Sequence, residues 1–379
     1  MSGGRIFRRN GRYYLSFSYL PPRLPHREEE LRTLLDSVKP LVEGRVEEYS
    51  TPVVYGPTGV GKTTTVRKMI EVLKRLRARV SLTVCLVNCG VEQRPFNVVQ
   101  RVSQEVLEGS IRGYSYEEAI GMINDALELR DEYLLLVLDE VDELLRVDRG
   151  RLLYVISRLD EEARSRRIFP LIVARRYESI LDLPQHIRGK IAGPTLYFKP
   201  YTREQMRDIV MDRVSMAIAP NAITENAIEA ISFIAANVDG GDARSAISLL
   251  LNGGNLAEQS GDPAINVEHV RRAYEQRGGL MAVRRLSGLD QLSKAVLSAA
   301  AELLGDADSY VIDPERHADE LAELASEACR REIGRDEVMA CLERLCGSRL
   351  VFRDGTLYYL LGISLSTIRS WASRGVPAV

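Results

Sequence analysis

The chain has 379 residues, 45% of them hydrophobic and 27% charged, a composition that supports two or three domains with buried cores and excludes disorder throughout. Its formal net charge is −2, so no global basic field announces a nucleic-acid partner, and any DNA contact must come from local patches. The five cysteines lack paired C-x-x-C spacing and point to incidental thiols rather than zinc, and no apolar run reaches transmembrane length, which predicts a cytoplasmic protein with no membrane partner.

In chain order, Arg5, Arg8, Arg9 and Arg12 precede Tyr13-Tyr14-Leu15. This is either a basic arm that touches phosphates or a tail that packs its tyrosines on the protein. Pro25 and the charged turn Glu28-Glu29-Glu30 then open a helix with Leu31, Leu34, Leu35 and Val38 inward. Next comes an apolar run, Val53-Val54-Tyr55, followed by Gly56-Pro57-Thr58-Gly59-Val60-Gly61-Lys62-Thr63-Thr64 and a predicted helix to Leu76. The pattern G-x-x-x-x-G-K-T between a strand and a helix is a phosphate-binding P-loop. Its glycines let backbone N–H groups face inward, and the helix adds its positive N-terminal end. Lys62 reaches the β- and γ-phosphates, and the Thr63 hydroxyl ligates Mg²⁺.

Ser81 to Val87 is a β-branched, buried strand, and Pro95 sits at the first turn of the next helix. A helix is predicted over Glu117 to Arg130. The run Tyr133 to Leu138 is a strand that delivers Asp139-Glu140-Val141-Asp142 at its carboxyl end, where ligands bind in open parallel sheets. Asp139 is assigned to the Mg²⁺ shell and Glu140 to the attacking water. Phe169 to Ala174 is a further strand ending in Arg175-Arg176, Gln185 to Ile191 is a short helix carrying Arg188, and Thr195 to Lys199 is a last strand. Strands alternating with helices define a doubly wound α/β layer with a parallel sheet.

From Tyr201 the pattern turns all-helical, with Thr202 and Thr224 opening two helices and Asp242 as the N-cap of a third. That cap places Arg244 in a first turn, aimed at a γ-phosphate or held in a local salt bridge. After Gly278-Gly279 three helices precede a hairpin, Leu350 to Leu360, with the turn Asp354-Gly355. This is the order of a winged helix. The expected domains are 1–200, the nucleotide-binding core with the N-terminal arm; 201–282, a helical lid; and 283–379, the winged helix. From Arg285 on there are 11 basic and 15 acidic residues, a balance that does not favour phosphate binding. A DNA-binding and a protein-binding winged helix therefore both stand. Arg335, Arg344, Arg353 and Gly355 are the DNA-contact candidates.

Taken together, Pro25-His26-Arg27-Glu28, the P-loop, Asn88-Cys89 with Arg94-Pro95-Phe96, Leu138 to Asp142, Lys199-Pro200-Tyr201-Thr202 and Gly241-Asp242-Ala243-Arg244 resemble the archaeal origin-recognition initiators. These are AAA+ ATPases related to the origin recognition complex and its helicase-loading partner. The resemblance implies ATP or ADP with Mg²⁺, bound with help from His26, Arg27, Tyr201 and Ala243. It makes Arg244 a sensor arginine and Arg188 an arginine finger acting on a neighbour's nucleotide. It implies a DNA-binding helical insertion near Arg112 to Ile120, so that Arg112 joins the DNA candidates. It also implies double-stranded origin DNA, paralogous subunits and the replicative helicase as partners, and a place at the nucleoid. One departure stands out: the family has a small polar residue after its fourth core strand, where this chain has Arg175 and Arg176. Arg176 is taken as the catalytic candidate, the choice between the two stays open, and a slow switch is expected rather than a fast motor. The rival readings are a P-loop ATPase fused to a winged helix that regulates transcription or signalling, and a scaffold with a structural nucleotide.

Overall fold

Five strands form a parallel sheet: β1 (Val53–Tyr55), β2 (Ser81–Asn88), β3 (Glu132–Asp139), β4 (Ile168–Ala174) and β5 (Thr195–Tyr197), in the order β2-β3-β4-β1-β5. This computed structural model describes residues 6–76, 80–159, 165–191, 193–278, 281–305 and 308–373; Arg5 of the arm and Gly279 of the predicted break lie outside the described residues. The chain divides into two compact units, 20–200 and a second formed by residues 6–19 with 201 onward.

Alternation along β3 shows why the sheet is covered on both faces. Leu134, Leu136 and Leu138 join one buried cluster with Val98, Val102, Ile120 and Ile123. Leu135 and Val137 join another with Leu34, Val38, Val66 and Met69. A parallel strand buried on both sides reads as an unbroken apolar run, as Tyr133 to Leu138 does. Helices Glu28–Val42 and Lys62–Arg75 supply one face, and Pro95–Val106 and Tyr116–Leu129 the other. Two helices, Pro95–Val106 and Tyr116–Leu129, lie between β2 and β3. Residues 107–115 form a loop that runs directly into Tyr116–Leu129, whose start is fixed by a Ser115–Glu118 capping box. The loop exposes Arg112 and Tyr114, and the helix begins within the stretch, Arg112 to Ile120, where the insertion is expected.

The second unit holds four lid helices, Arg203–Ala217, Glu225–Phe233, Ala243–Ser260 and Val267–Arg277. Thr202, Thr224 and Asp242 cap three of them through side-chain oxygens, as the sequence predicts, and Asn266 caps the fourth. Residues 6–19, grouped by sequence with the ATPase core, pack on this lid instead. Ala219 donates its N–H to Ile6 O at 2.8 Å, and Arg8 donates its N–H to Ala217 O at 2.9 Å. The Phe7 ring fills the space a Cβ on Gly254 would need. Arg8 Nε is bonded to Ile218 O at 2.7 Å, and Arg12 pairs with Glu258 at 2.5 Å. Two of the arm's cations thus serve its docking, which favours the packed tail over the phosphate-binding arm.

Helices Gln291–Leu303, Pro314–Cys329 and Arg335–Gly347 then precede the hairpin of β7 (Phe352–Asp354) and β8 (Leu357–Tyr359), with a short β6 (Val311–Ile312) completing an antiparallel sheet of order β6-β8-β7. This is the element order of a winged helix. Gly355 makes the predicted turn at φ 60°. Phe233 of the lid stacks on Tyr359 at 4.3 Å, and Tyr310, Tyr359 and Leu361 belong to the lid's own core. Arg271 is fully buried here. Its Nε donates to Leu360 O at 2.7 Å, Nη2 donates to Ser309 O, and Nη1 lies 3.4 Å from Glu268. Glu268 also accepts the Leu365 and Ser366 N–H groups at the start of helix Leu365–Ser373. Among the described residues, no helix is long and apolar enough to cross a membrane.

Arg271→Ala strands two carbonyls and a carboxylate, and costs about 3–5 kcal/mol, the usual loss when one partner of a buried charge pair is removed; chemical denaturation of the full chain measures it. His269 gives a pH signature. Burial holds its imidazole below the ordinary range, although Asp262 at 3.0 Å pulls the other way. Its Nδ1 accepts the Asn266 N–H at 3.2 Å, which requires the neutral ring. The unfolded chain therefore takes up the proton more readily. Stability is complete above the unfolded value of about 6.5 and falls as pH drops through it towards the lower folded value. His269→Gln keeps a capping acceptor and flattens that slope in melting curves between about pH 7 and pH 5.

Candidate functional site

Parallel register brings the chemistry of the first unit to one edge. Tyr55 is level with Ala174, and Asn88 with Asp139, so the P-loop, the Asp139-Glu140 pair, the turn after β2 and Arg175 all follow the carboxyl ends of neighbouring strands. Gly56, Gly59 and Gly61 have φ of 148°, 75° and 94°. At Gly56 a Cβ would stand 2.5 Å from Phe198 O, so no larger residue fits that turn. Gly61 is the left-handed N-cap of helix Lys62–Arg75. Lys62 is buried, and its ammonium donates to Gly56 O at 2.5 Å and Pro57 O at 2.6 Å. Val60 is fully buried in the core, which anchors the loop's centre. This glycine cradle with a lysine at the helix start fits a polyphosphate.

Thr63 Oγ1 donates to Asp139 Oδ2 at 2.7 Å, and Asp139 Oδ1 accepts the Glu140 N–H at 2.9 Å. Burial holds the Asp139 carboxyl above the ordinary carboxylate range, while the Thr63 bond opposes it. A hydroxyl and a carboxylate oxygen this close form a hard-oxygen donor set suited to Mg²⁺. Glu140 sits at φ 52°, in the left-handed region, as the first residue past β3.

The arginine facing Glu140 is Arg175, not the Arg176 taken from the sequence. Arg175 Nη2 lies 3.2 Å from Glu140 Oε2, and its own N–H donates to Asp142 Oδ2 at 2.7 Å. Arg176 follows on the exposed side. Alternation after a strand sends consecutive side chains apart; Asp142 accepts the N–H of both arginines, and the Arg175 guanidinium is the one turned towards Glu140 and Glu143. Arg27, which the resemblance implies helps to bind the nucleotide, is engaged with the chain itself. Its buried guanidinium donates to Val60 O at 2.9 Å, His26 O at 2.9 Å and Lys199 O at 2.6 Å, and pairs with Glu30 at 3.1 Å. It clamps the P-loop to the chain on either side. His26 stands beside it at φ 62°. Arg188 is exposed in the last turn of helix Gln185–Lys190, and Thr64 follows Thr63 in the P-loop helix.

Tyr201, Ala243 and Arg244 belong to the second unit. Tyr201 is buried in the lid core. Ala243 begins its helix, and the exposed Arg244 donates its N–H to Asp242 at 2.8 Å, with its guanidinium 3.4 Å from the same carboxylate. The three arginines among the tail's DNA candidates are each tied to an acid: Arg335 to Asp319 at 3.8 Å, Arg344 to Asp290 at 3.4 Å, and Arg353 to Glu343. Sequence reading missed the Arg175–Glu140 pair and the buried Arg271. For the first, the signal was the strand's end at Ala174; for the second there was none, since it lies in a charged helix.

An AAA domain family matches residues 47–183, and the Cdc6 AAA+ ATPase-type lid domain matches residues 207–275. The fold and site are those of an AAA+ ATPase with a Cdc6-type lid. Its sequence is similar to those of archaeal ORC1-type DNA replication proteins. It is 29% identical over 292 residues to the ORC1-type DNA replication protein of Pyrococcus horikoshii, covering 75% of this chain and 69% of that protein. To ORC1-type DNA replication protein 1 of Archaeoglobus fulgidus it is 29% identical over 282 residues, covering 73% and 67%. Its fold matches the crystal structure of Cdc6p from Pyrobaculum aerophilum with a TM-score of 0.79 at 24% identity, covering 97% of this chain and 98% of that one. The Aeropyrum pernix ORC1 protein, solved in complex with DNA, matches with a TM-score of 0.65 at 25% identity, covering 98% of each chain.

Lys62→Ala removes the ammonium from the cradle and lowers affinity for a fluorescent ATP analogue about 10- to 100-fold, the worth of one charge-assisted bond. Lys74→Ala, exposed at the far end of the same helix, leaves affinity unchanged in the same titration.

Proposed function

We propose that the chain is an ATP-switched initiator that binds double-stranded DNA at replication origins and helps to load the replicative helicase, with slow hydrolysis as the reset. The observation that carries this reading is the complete Lys62–Thr63–Asp139–Glu140 set in a chain with a Cdc6-type lid and ORC1-type relatives over three-quarters of its length.

Lys62 and the loop N–H groups hold the β- and γ-phosphates. Thr63 and Asp139 hold Mg²⁺, which when bound neutralises charge on those phosphates. Glu140 orients the attacking water and takes its proton. Arg244, released from Asp242, is the lid's phosphate sensor and couples nucleotide state to the lid. Arg188 acts on the nucleotide of a neighbouring, paralogous subunit. The proposed boundaries are an ATPase core over 20–200, a lid over 201–282 and a winged helix over 283–379, the arm belonging with the lid. The protein works at the nucleoid.

On DNA, the hairpin around Arg353 and Gly355 is the proposed wing, and Arg335 and Arg344 lie on the third helix and Arg112 on the ATPase loop. Because Arg335, Arg344 and Arg353 each already have a carboxylate partner, base readout by that helix is weak. The same observation supports a second reading, in which the winged helix docks a protein and other parts of the chain supply the DNA contact. Footprinting on chromosomal fragments of the source organism, with ATP and with ADP across a salt series, separates the two. The expected result is a few discrete protected sites that survive moderate salt, with Arg353→Ala weakening binding and lowering the salt slope by about one. An unchanged slope with Arg353→Ala favours the protein-docking tail, and absence of any protection removes the initiator reading.

A further inference from the structure

Glu140 does not project freely from the end of β3. Its Oε2 rests in a slot whose two walls come from neighbouring strands. On the β4 side stands Arg175, with Nη2 at 3.2 Å from Glu140 Oε2 and Nη1 at 3.8 Å from Glu143 Oε1. The base of that arginine is fixed, because its N–H donates to Asp142 Oδ2 at 2.7 Å and Asp142 Oδ1 in turn accepts the Ser179 hydroxyl at 2.6 Å. On the β2 side stands Gly90. A Cβ there would collide with Glu140 Oε2 and lie 2.9 Å from Asn88 Oδ1. Asn88 Oδ1 accepts the Gly90 N–H at 2.7 Å and the Val91 N–H at 3.3 Å, so this turn is also fixed. The left-handed backbone of Glu140, at φ 52°, aims the side chain into the slot.

We propose that Arg175 and Gly90 park Glu140 away from the attacking water, so that Arg175 is a positioning residue that brakes hydrolysis. The proposal rests on the ATPase reading above and names its internal regulator. In hydrolysis the water oxygen bonds the γ-phosphorus. The bond from that phosphorus to the β–γ bridging oxygen breaks, its electron pair staying on ADP. The proton of the water passes to Glu140 and then to bulk water. A carboxylate oxygen engaged by a guanidinium is not free to accept that proton, and one wedged against Gly90 is not placed to orient the water. Each turnover therefore waits for the pair to open. The pair is partly exposed, with side-chain accessibilities of 42% for Arg175 and 30% for Glu140, so opening it is a modest barrier rather than a permanent block.

The test uses the full chain. Arg175→Ala raises single-turnover kcat about two- to fivefold, the size expected of a partly exposed pair, with KM for ATP unchanged. Arg175→Lys keeps a cation beside Glu140 and stays near the parent rate. Gly90→Ala, at a position without positive φ, pushes the flexible carboxylate out of the slot and raises kcat in the same direction, which gives an independent variant should Arg175→Ala fold poorly. A readout without nucleotide comes from thermal melting of Arg175→Ala, Glu140→Gln and the double variant: the pair requires non-additive shifts, and additive shifts overturn it. A fall in kcat with Arg175→Ala at unchanged nucleotide affinity also overturns the brake and makes Arg175 a group that acts on the phosphate. Loss of the underlying reading looks different, because then Lys62→Ala leaves nucleotide binding intact whatever residue 175 does.

Discussion

The register of five parallel strands decides where every charged group of the nucleotide site stands. Val53, Val54 and Tyr55 are level with Ile172, Val173 and Ala174, while Asn88 is level with Asp139. A strand shifted by one residue would send its side chains to the opposite face. Both faces are buried here, so slippage has no compensating arrangement. The Thr63–Asp139 bond, joining a helix start to a strand end 76 residues later in sequence, is a direct product of that pairing. Arg27 adds a second tie by satisfying carbonyls on the P-loop and after β5. A buried guanidinium with its donors spent on backbone is a rigid fixture. The loop that must meet a polyanion is thereby held in shape by groups that do not meet it.

Much of this was legible from local pattern. The unbroken run Tyr133 to Leu138 announced a strand covered on both sides, and the P-loop needed only its spacing and flanks. Thr202, Thr224 and Asp242 cap the helices they were expected to cap, because capping is settled within three residues. What escaped was set by partners distant in sequence or by a one-residue choice. Arg175 and Arg176 are chemically identical, and both give their N–H to Asp142; only the pairing of the Arg175 guanidinium with Glu140 tells them apart. The motif around Arg27 implied help with nucleotide binding and gave no hint of its carbonyl partners more than thirty and more than one hundred and seventy residues away. Arg271 sits in a highly polar helix, and nothing local hints that it is the one charge fully enclosed there among the described residues.

The lid and the C-terminal region are one compact body. Phe233 on Tyr359, Arg271 beneath the backbone of Ser309 and Leu360, and Glu268 capping the last helix all cross between them. Apolar stacking, a buried cation and a helix cap are independent kinds of attachment, so loosening one leaves the others in place. A motion of the lid is therefore transmitted to the hairpin without a flexible joint in between. The acidic partners of Arg335, Arg344 and Arg353 give that region a surface on which charge is already largely balanced, which lowers its attraction for any polyanion.

The docking of residues 6–19 on the lid has a consequence for how the chain is made. Ile6 and Phe7 belong to a core completed by Leu250, Ile265 and Val270. That segment, which precedes the ATPase unit in the chain, thus waits for the lid to emerge, while the whole ATPase unit, 20–200, is built in between. At about 5–20 residues per second of ribosomal elongation, that interval is on the order of ten seconds to a minute. The parallel sheet has time to close on its own core before its two flanking segments find each other, so the nascent chain assembles from its middle outward.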